Sequence, residues 1–384
     1  MNKPTRSIVA SASLVGALSL VFPAGVASAA SPQAQVSSTR HTVMIQTNSL
    51  TGNRIAVYDQ APDGTLTRAG SYSTGGLGGQ ASNSVADYLA SQGSLVYNAR
   101  QHTLLAVNAG SNTLSVFKVR GDRLTRRQVL PSGGRFPVSI AVNGDLVYAL
   151  NGGGAGTVAG FRLNHGRLRH IHGSVRHLEL ANTTPPNFLT SPGQIGFTPD
   201  GRNLLVTTKA ATNSIEAFRV TPRGLLSEHL ASTAASTPVP FAFTFTPNGH
   251  LVVAQAGNST LGTYAVHPDT RLTPIGSLSD GQQGLCWVTR IQNHYYVANA
   301  GSNTISAYTV SPRGIPALLG STGVVATTDA GPIDMAASPD GQTLYAQAGA
   351  AGRIDTYRVN RDGTLTRIGS ISGLPTGIEG IAVH

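Results

Sequence analysis

Apolar and polar positions alternate with a period of two in short runs along this chain, and the runs end in turn residues. That is the pattern of half-buried β-strands. One run recurs: an apolar residue, two further residues, then Tyr or Phe. It appears at Ile55/Tyr58, Leu114/Phe117, Val158/Phe161, Ile215/Phe218, Leu261/Tyr264, Ile305/Tyr308 and Ile354/Tyr357, with successive aromatics 44 to 59 residues apart. Nine or ten residues before each aromatic, a polar residue closes an apolar strand: Asn48, Asn108, Asn151, Thr208, Gln255, Asn299 and Gln347. After each aromatic come a turn and another apolar position, as at Leu66 behind Asp63-Gly64. One more strand lies upstream, for example at 139–142 and 334–337, and leads into Asn143-Gly144 or Asp340-Gly341. Asn-Gly and Asp-Gly favour tight hairpins because both central residues accept positive φ.

Each repeat therefore reads as four antiparallel strands over about 50 residues, the size of a β-propeller blade. The expectation is an all-β chain: a seven-bladed β-propeller of four-stranded antiparallel blades, forming one domain over 42–384. The first repeat begins near Thr42 and lacks an innermost strand, whereas residues 379–384 have the form of an innermost strand with no blade behind it. The C-terminal strand should complete blade one and close the ring, which removes unpaired strand edges. Residues 74–93 and 174–191 exceed the repeat length and are rich in Gly, Ser, Asn and Pro. Long loops often carry function, here the covering of a cleft or the docking of a partner.

Composition supports strands and turns. Gly 45 and Pro 21 in 384 residues, with only 11% charged residues, exclude a helix bundle, and the glycines lack collagen's period of three. Residues 1–29 read as a signal peptide: Lys3 and Arg6, an apolar run from Ile8 to Val26, and Ala27-Ser28-Ala29 as the cleavage site. A membrane anchor is the other reading, but Ser, Gly and Pro interrupt the run. Cleavage near Ala29 would release a secreted protein, extracellular or wall-associated and no longer held by a membrane, with 30–41 as a flexible leader. Losing two cations and no acids, the remaining 355 residues carry +8. No basic run with interleaved aromatics points to nucleic acid. Cys286 is the single cysteine, so no internal disulfide forms. It reads as a small buried hydrophobe, with a reactive thiol as the alternative.

The run from Tyr296 to Ile305, Tyr-Val-Ala-Asn-Ala-Gly-Ser-Asn-Thr-Ile, resembles the YVTN-type repeat of surface and exported propellers. Over about 40–384 the chain resembles the seven-bladed lactonases, which include 6-phosphogluconolactonases and carboxymuconate cyclases, and looks most like a secreted actinobacterial branch. Ser191-Pro192-Gly193-Gln194-Ile195-Gly196-Phe197 matches that family's strand-and-hairpin segment. The resemblance implies a lactone-opening or lactone-forming enzyme using His, Arg and Glu on one face. The chain departs from it at three places. Phe136-Pro137-Val138-Ser139 has no histidine, Pro192-Gly193-Gln194 replaces a Pro-Arg-His-like run, and Lys209 stands for a glutamate.

On a propeller the innermost strands start at the face where clefts form. Those starts place Asp334 and Glu379 as candidate catalytic acids or bases, and Arg135, Gln194, Lys209, Gln92 and Trp287 as candidate substrate-binding residues in an open polar pocket. Asp334 and Glu379 could equally serve strand-start amides, and Trp287 could be a core residue. His170-x-His172 with His177 nearby is a weak metal pattern, and neither a metal nor a cofactor is expected. Two functions remain open: a lactonase or cyclase acting on a small sugar acid or organic acid, or a non-catalytic propeller, expected as a monomer, that binds a carbohydrate or an extracellular partner.

Overall fold

The computed structural model describes residues 41–384, so the leader segments 1–29 and 30–40 lie outside the described residues. Seven antiparallel sheets follow one another along the chain. Blade two is typical: Leu95–Asn98, Thr103–Asn108, Thr113–Arg120 and Arg123–Pro131 pair in sequence order, innermost to outermost. Blade one contains Thr42–Gln46, Arg54–Gln60 and Leu66–Ser73, and its innermost strand is Ile381–Val383. Val43, Met44 and Ile45 pair with Val383, Ala382 and Ile381. The ring closes as the split first repeat requires.

The second strand of each blade is buried on both faces, as in Leu251–Gln255 and Thr103–Asn108, because neighbouring blades cover it. That explains its continuous apolar runs. Outer strands are mostly exposed, as in Arg123–Pro131. Adjacent blades are also joined by polar contacts. Tyr148 Oη in blade three donates to the carbonyl of Gly224 at 2.8 Å, and Tyr296 Oη in blade six donates to that of Gly363 at 2.8 Å. Both acceptors lie in the outer hairpin of the next blade.

A second joint recurs at the blade transitions. Asn112, Asn213 and Asn303 adopt left-handed φ, and their Oδ1 atoms accept from the backbone N–H of Phe136, Val239 and Gly331. Each donor lies just before an innermost strand and itself has positive φ. This joint explains the repeated Gly-Ser-Asn-Thr sequence of blades two and six.

The amides closing the second strands serve these joints. Asn108 Nδ2 donates to Thr113 and Ser115, and Asn299 Nδ2 donates to Thr304 and Ser306. They hold hairpins and do not line an open pocket.

Candidate functional site

The innermost strands begin at one end of the central channel, where the sequence places an open polar pocket. The structure corrects that expectation, because the protein's own segment 81–93 fills the mouth. This segment leaves the outer edge of blade one, yet its partners lie around the ring. Ser91 Oγ donates to Val138 O in blade three (2.8 Å), and the Gln92 N–H donates to Gly193 O before blade four (3.0 Å). Gln92 also pairs twice with the backbone of Val288 in blade six, Nε2 donating at 3.1 Å and Oε1 accepting at 3.2 Å. Blades two and six are nearly opposite in a seven-membered ring, so the segment crosses the channel axis. The long loop 174–191 meets it: the Ser82 N–H donates to Pro186 O, and the Phe188 N–H donates to Ser82 O. Leu89 and Ala90 are fully buried by this packing.

Beneath the segment lies a buried cluster of charge. Lys209 is fully buried and has φ +49 at the start of a short 3₁₀ turn, Lys209–Ala211. Its Nζ donates to Ala90 O at 2.7 Å and to Phe188 O at 2.6 Å, and it stands over the rings of Phe188 and Phe241. Burial pulls its pKa down to about 8, against the opposing charge of Asp87 and then of Cys286 and Glu379.

Glu379 is also fully buried. Its Oε2 accepts from Leu89 N–H at 2.6 Å, and its Oε1 accepts from Ser91 N–H at 3.3 Å. Burial, then the charge of Asp87, pushes its pKa well above the usual range. Asp87 Oδ1 caps Ala90 N–H at 2.6 Å, while Oδ2 has no protein donor. Burial raises the Asp87 pKa, against the neighbouring Glu379 carboxyl and the charge of Lys209.

Asp334 is buried, with Oδ1 accepting from Met335 N–H at 3.0 Å, and burial raises its pKa to about 7. Cys286 is buried beside this group, and burial raises its thiol to about 12, which leaves it inert at neutral pH.

The expected site residues thus fall into three groups. Asp334, Glu379 and Lys209 converge on one electrostatic cluster. Gln92, Gln194 and Trp287 border it, but their polar atoms are engaged with backbone: Gln194 Oε1 accepts from Phe243 N–H at 2.6 Å, and Trp287 Nε1 donates to Ser91 O at 3.1 Å. Trp287 is packed against Phe241 and is 1% exposed, so no ligand stacks on it in this state. Arg135 is exposed and stands apart from the cluster, on the turn before blade three.

Asp87 was missed by the sequence reading, although it is the only charged residue in the uncharged stretch 74–93. A lone charge in a long loop was the available signal. Among the described residues no three His, Cys, Asp or Glu side chains are grouped to hold a metal ion. His170 packs its ring edge-on against Phe161.

A family model described as "Lactonase, 7-bladed beta-propeller" matches residues 155–289. No curated protein matches the sequence. Among solved structures, the chain is similar to a candidate 6-phosphogluconolactonase from Bacteroides uniformis, at 19% identity and TM-score 0.69, covering 90% of this chain and 100% of that one. A second candidate 6-phosphogluconolactonase, from Bacteroides fragilis, is 17% identical with TM-score 0.69, covering 91% and 99%. The periplasmic gluconolactonase of Pseudomonas aeruginosa is 15% identical with TM-score 0.67, covering 90% and 99%. At these identities the likeness to solved structures is one of fold. The resemblance to seven-bladed lactonases rests on the family match and on the repeats.

Proposed function

We propose that this propeller, lactonase-like in its family match and fold, hydrolyses the ring of a small sugar-acid or organic-acid lactone at the Lys209–Glu379–Asp334 cluster, reached when segment 81–93, which carries Asp87, lifts. The observation that carries the reading is the way this segment sits. A carbonyl, Ala90 O, accepts from the Lys209 ammonium at 2.7 Å, while Leu89 N–H donates to the Glu379 carboxyl at 2.6 Å. The cap's own peptide groups occupy the donor and acceptor that a lactone would use; its departure leaves the Glu379 carboxyl without its backbone donors and Lys209 with only the Phe188 carbonyl. Perturbed carboxyls around a cation in a closed site are the groups expected of acid–base chemistry.

The chemistry follows from the protonation states. With the cap closed, burial holds the Asp334 pKa near 7, so this carboxyl is already substantially ionised at neutral pH when the cap lifts, and it takes a proton from water. The water oxygen bonds to the lactone carbonyl carbon, and the Lys209 ammonium holds the oxyanion that forms. The ring C–O bond then breaks, and Glu379, which holds a proton in the closed state and keeps it while the bound lactone takes the cap's place in excluding water, gives that proton to the leaving alkoxide. Passing the Asp334 proton back to Glu379 restores the cluster, and the net reaction adds one water. We further propose that the protein works as a monomer outside the cell after cleavage near Ala29; N-terminal sequencing of protein from the culture medium tests this.

The test of function is ring opening across a panel of sugar-acid and organic-acid lactones, followed as acid release, for wild type and Asp334→Asn. The reading requires opening of at least one lactone and a loss of at least about a hundredfold in the variant, the usual scale of one acid–base group. No opening of any lactone, with retained binding of a sugar acid, would favour the binding propeller, for which the filled channel mouth is the supporting observation.

A further inference from the structure

The opposite end of the propeller carries an unpaired concentration of positive charge that the lactonase reading does not use. The hairpin joining Leu95–Asn98 to Thr103–Asn108 and the turn following Thr157–Asn164 both lie at the end away from the capped mouth. Between them opens a cleft of about 530 Å³ lined by Arg100, Gln101, His102, Lys118, Arg127 and His165, together with Asn164 and Gly166. A second hollow of about 510 Å³ shares His102 and Lys118 and adds Arg120 and Tyr97. No aspartate or glutamate side chain lines either hollow. Among the described residues, none of Arg100, Lys118, Arg120 and Arg127 takes part in an ion pair.

The charge is held in place. Lys118 Nζ donates to Gln101 O at 3.1 Å, and Gln101 Nε2 donates across the blade boundary to Leu163 O at 3.1 Å. These bonds fix the ammonium at the junction of the two hollows, while Arg100 and Arg127 remain exposed at the first. A low-charge protein that leaves four cations together without counter-charges has built a field that draws anions.

We propose that this groove binds a carboxylate-bearing polysaccharide, one chain lying along both hollows. Shared walls favour an extended ligand over a compact one. Planar guanidinium groups match carboxylate oxygens in pairs. The Asn164 amide and the imidazoles beside the cations suit sugar hydroxyls. Single-stranded nucleic acid would need free aromatic platforms for its bases. Tyr97 is the only Tyr, Phe or Trp in the lining, and its ring already packs on that of His384, 5.0 Å between centroids. The first hollow, with Arg100, Lys118 and Arg127, should supply most of the attraction.

The experiment titrates the full purified protein with labelled polygalacturonate, with neutral dextran and single-stranded DNA as parallel arms. Salt is set at about 0.01 M and about 0.15 M, where charges reach about 30 Å and about 8 Å. The comparison variant is Arg100→Glu/Arg127→Glu, with Arg100→Gln/Arg127→Gln as a milder second variant. Both positions are exposed, and Trp287 emission reports retained packing. Expected are polygalacturonate binding that weakens with salt, no dextran binding, and at least tenfold weaker binding by the charge-reversed protein. Failure to bind polygalacturonate at the lower salt, equal binding by a folded variant, or tighter binding of DNA than of polygalacturonate would each overturn the proposal. Because the variants leave the capped cluster intact, this result is independent of any lactone-opening result.

Discussion

Replacing Asp334 by Asn should stabilise the protein at alkaline pH and leave it little changed in acid. The Asn side chain keeps the shape and still accepts the Met335 N–H on Oδ1, but it cannot ionise. In the wild type, burial moves this carboxyl from 3.8 to about 7. The folded protein therefore holds the proton more tightly than the unfolded chain, so this group makes stability fall as pH rises from about 4 to about 7. Above pH 7 the loss levels off. Integrated between about pH 5 and pH 8, a shift of this size is worth about 2 to 3 kcal/mol. Urea unfolding of both proteins at these two pH values isolates the effect, because groups common to both largely cancel in the difference. The variant's advantage should grow by about 2 kcal/mol or more on going from pH 5 to pH 8. A difference independent of pH, or a variant that loses stability at pH 8, would refute the placement of Asp334 as a buried, proton-holding carboxyl.

Other parts of the structure make separate predictions. Gly380 has φ +97, and a Cβ there would lie 2.5 Å from Ser94 Oγ; Gly380→Ala should cost about 2 kcal/mol or more in urea unfolding by straining the backbone and forcing the closing strand away from the start of blade two. Arg367→Ala removes the cation that holds Asp355, whose side chain is fully buried, and that also bonds Asp329 at 2.7 Å. Since Arg367 is partly exposed, the loss should be about 2 kcal/mol at neutral pH, and a change under 0.5 kcal/mol would contradict the pairing. Trp287 is the only tryptophan and lies directly under Ser91; acrylamide should quench it weakly in wild type and several-fold more strongly once residues 81–90 are replaced by a short Gly-Ser linker.

The repeats made the ring readable because each blade has to rebuild the same strand pattern and turns. Strand order, closure by residues 381–383 and the buried Cys286 all follow from local alternation and count. The site was only partly readable. Asp334, Glu379 and Lys209 could be placed at one end of the channel because their positions follow from blade register. The covering role of loop 74–93 was anticipated from its length, but its path was not, because residues 81–93 have no alternation and take their conformation from partners in blades three, four and six and from Glu379. The same cause turned Gln92, Gln194 and Trp287 from expected ligand contacts into backbone partners. Asp87 matters through the charge it places beside Glu379, nearly 300 positions away, and no spacing rule joins residues at that distance.

The most direct test of the account is the pH dependence of kcat/KM for enzyme-catalysed lactone opening by the wild type, with spontaneous hydrolysis subtracted. If Asp334 is the base, the rate should climb roughly tenfold per pH unit in acid and level off near pH 7, the value to which burial raises this carboxyl. A rate that is flat between about pH 5 and pH 8, or no enzyme-dependent opening at any pH, would contradict it.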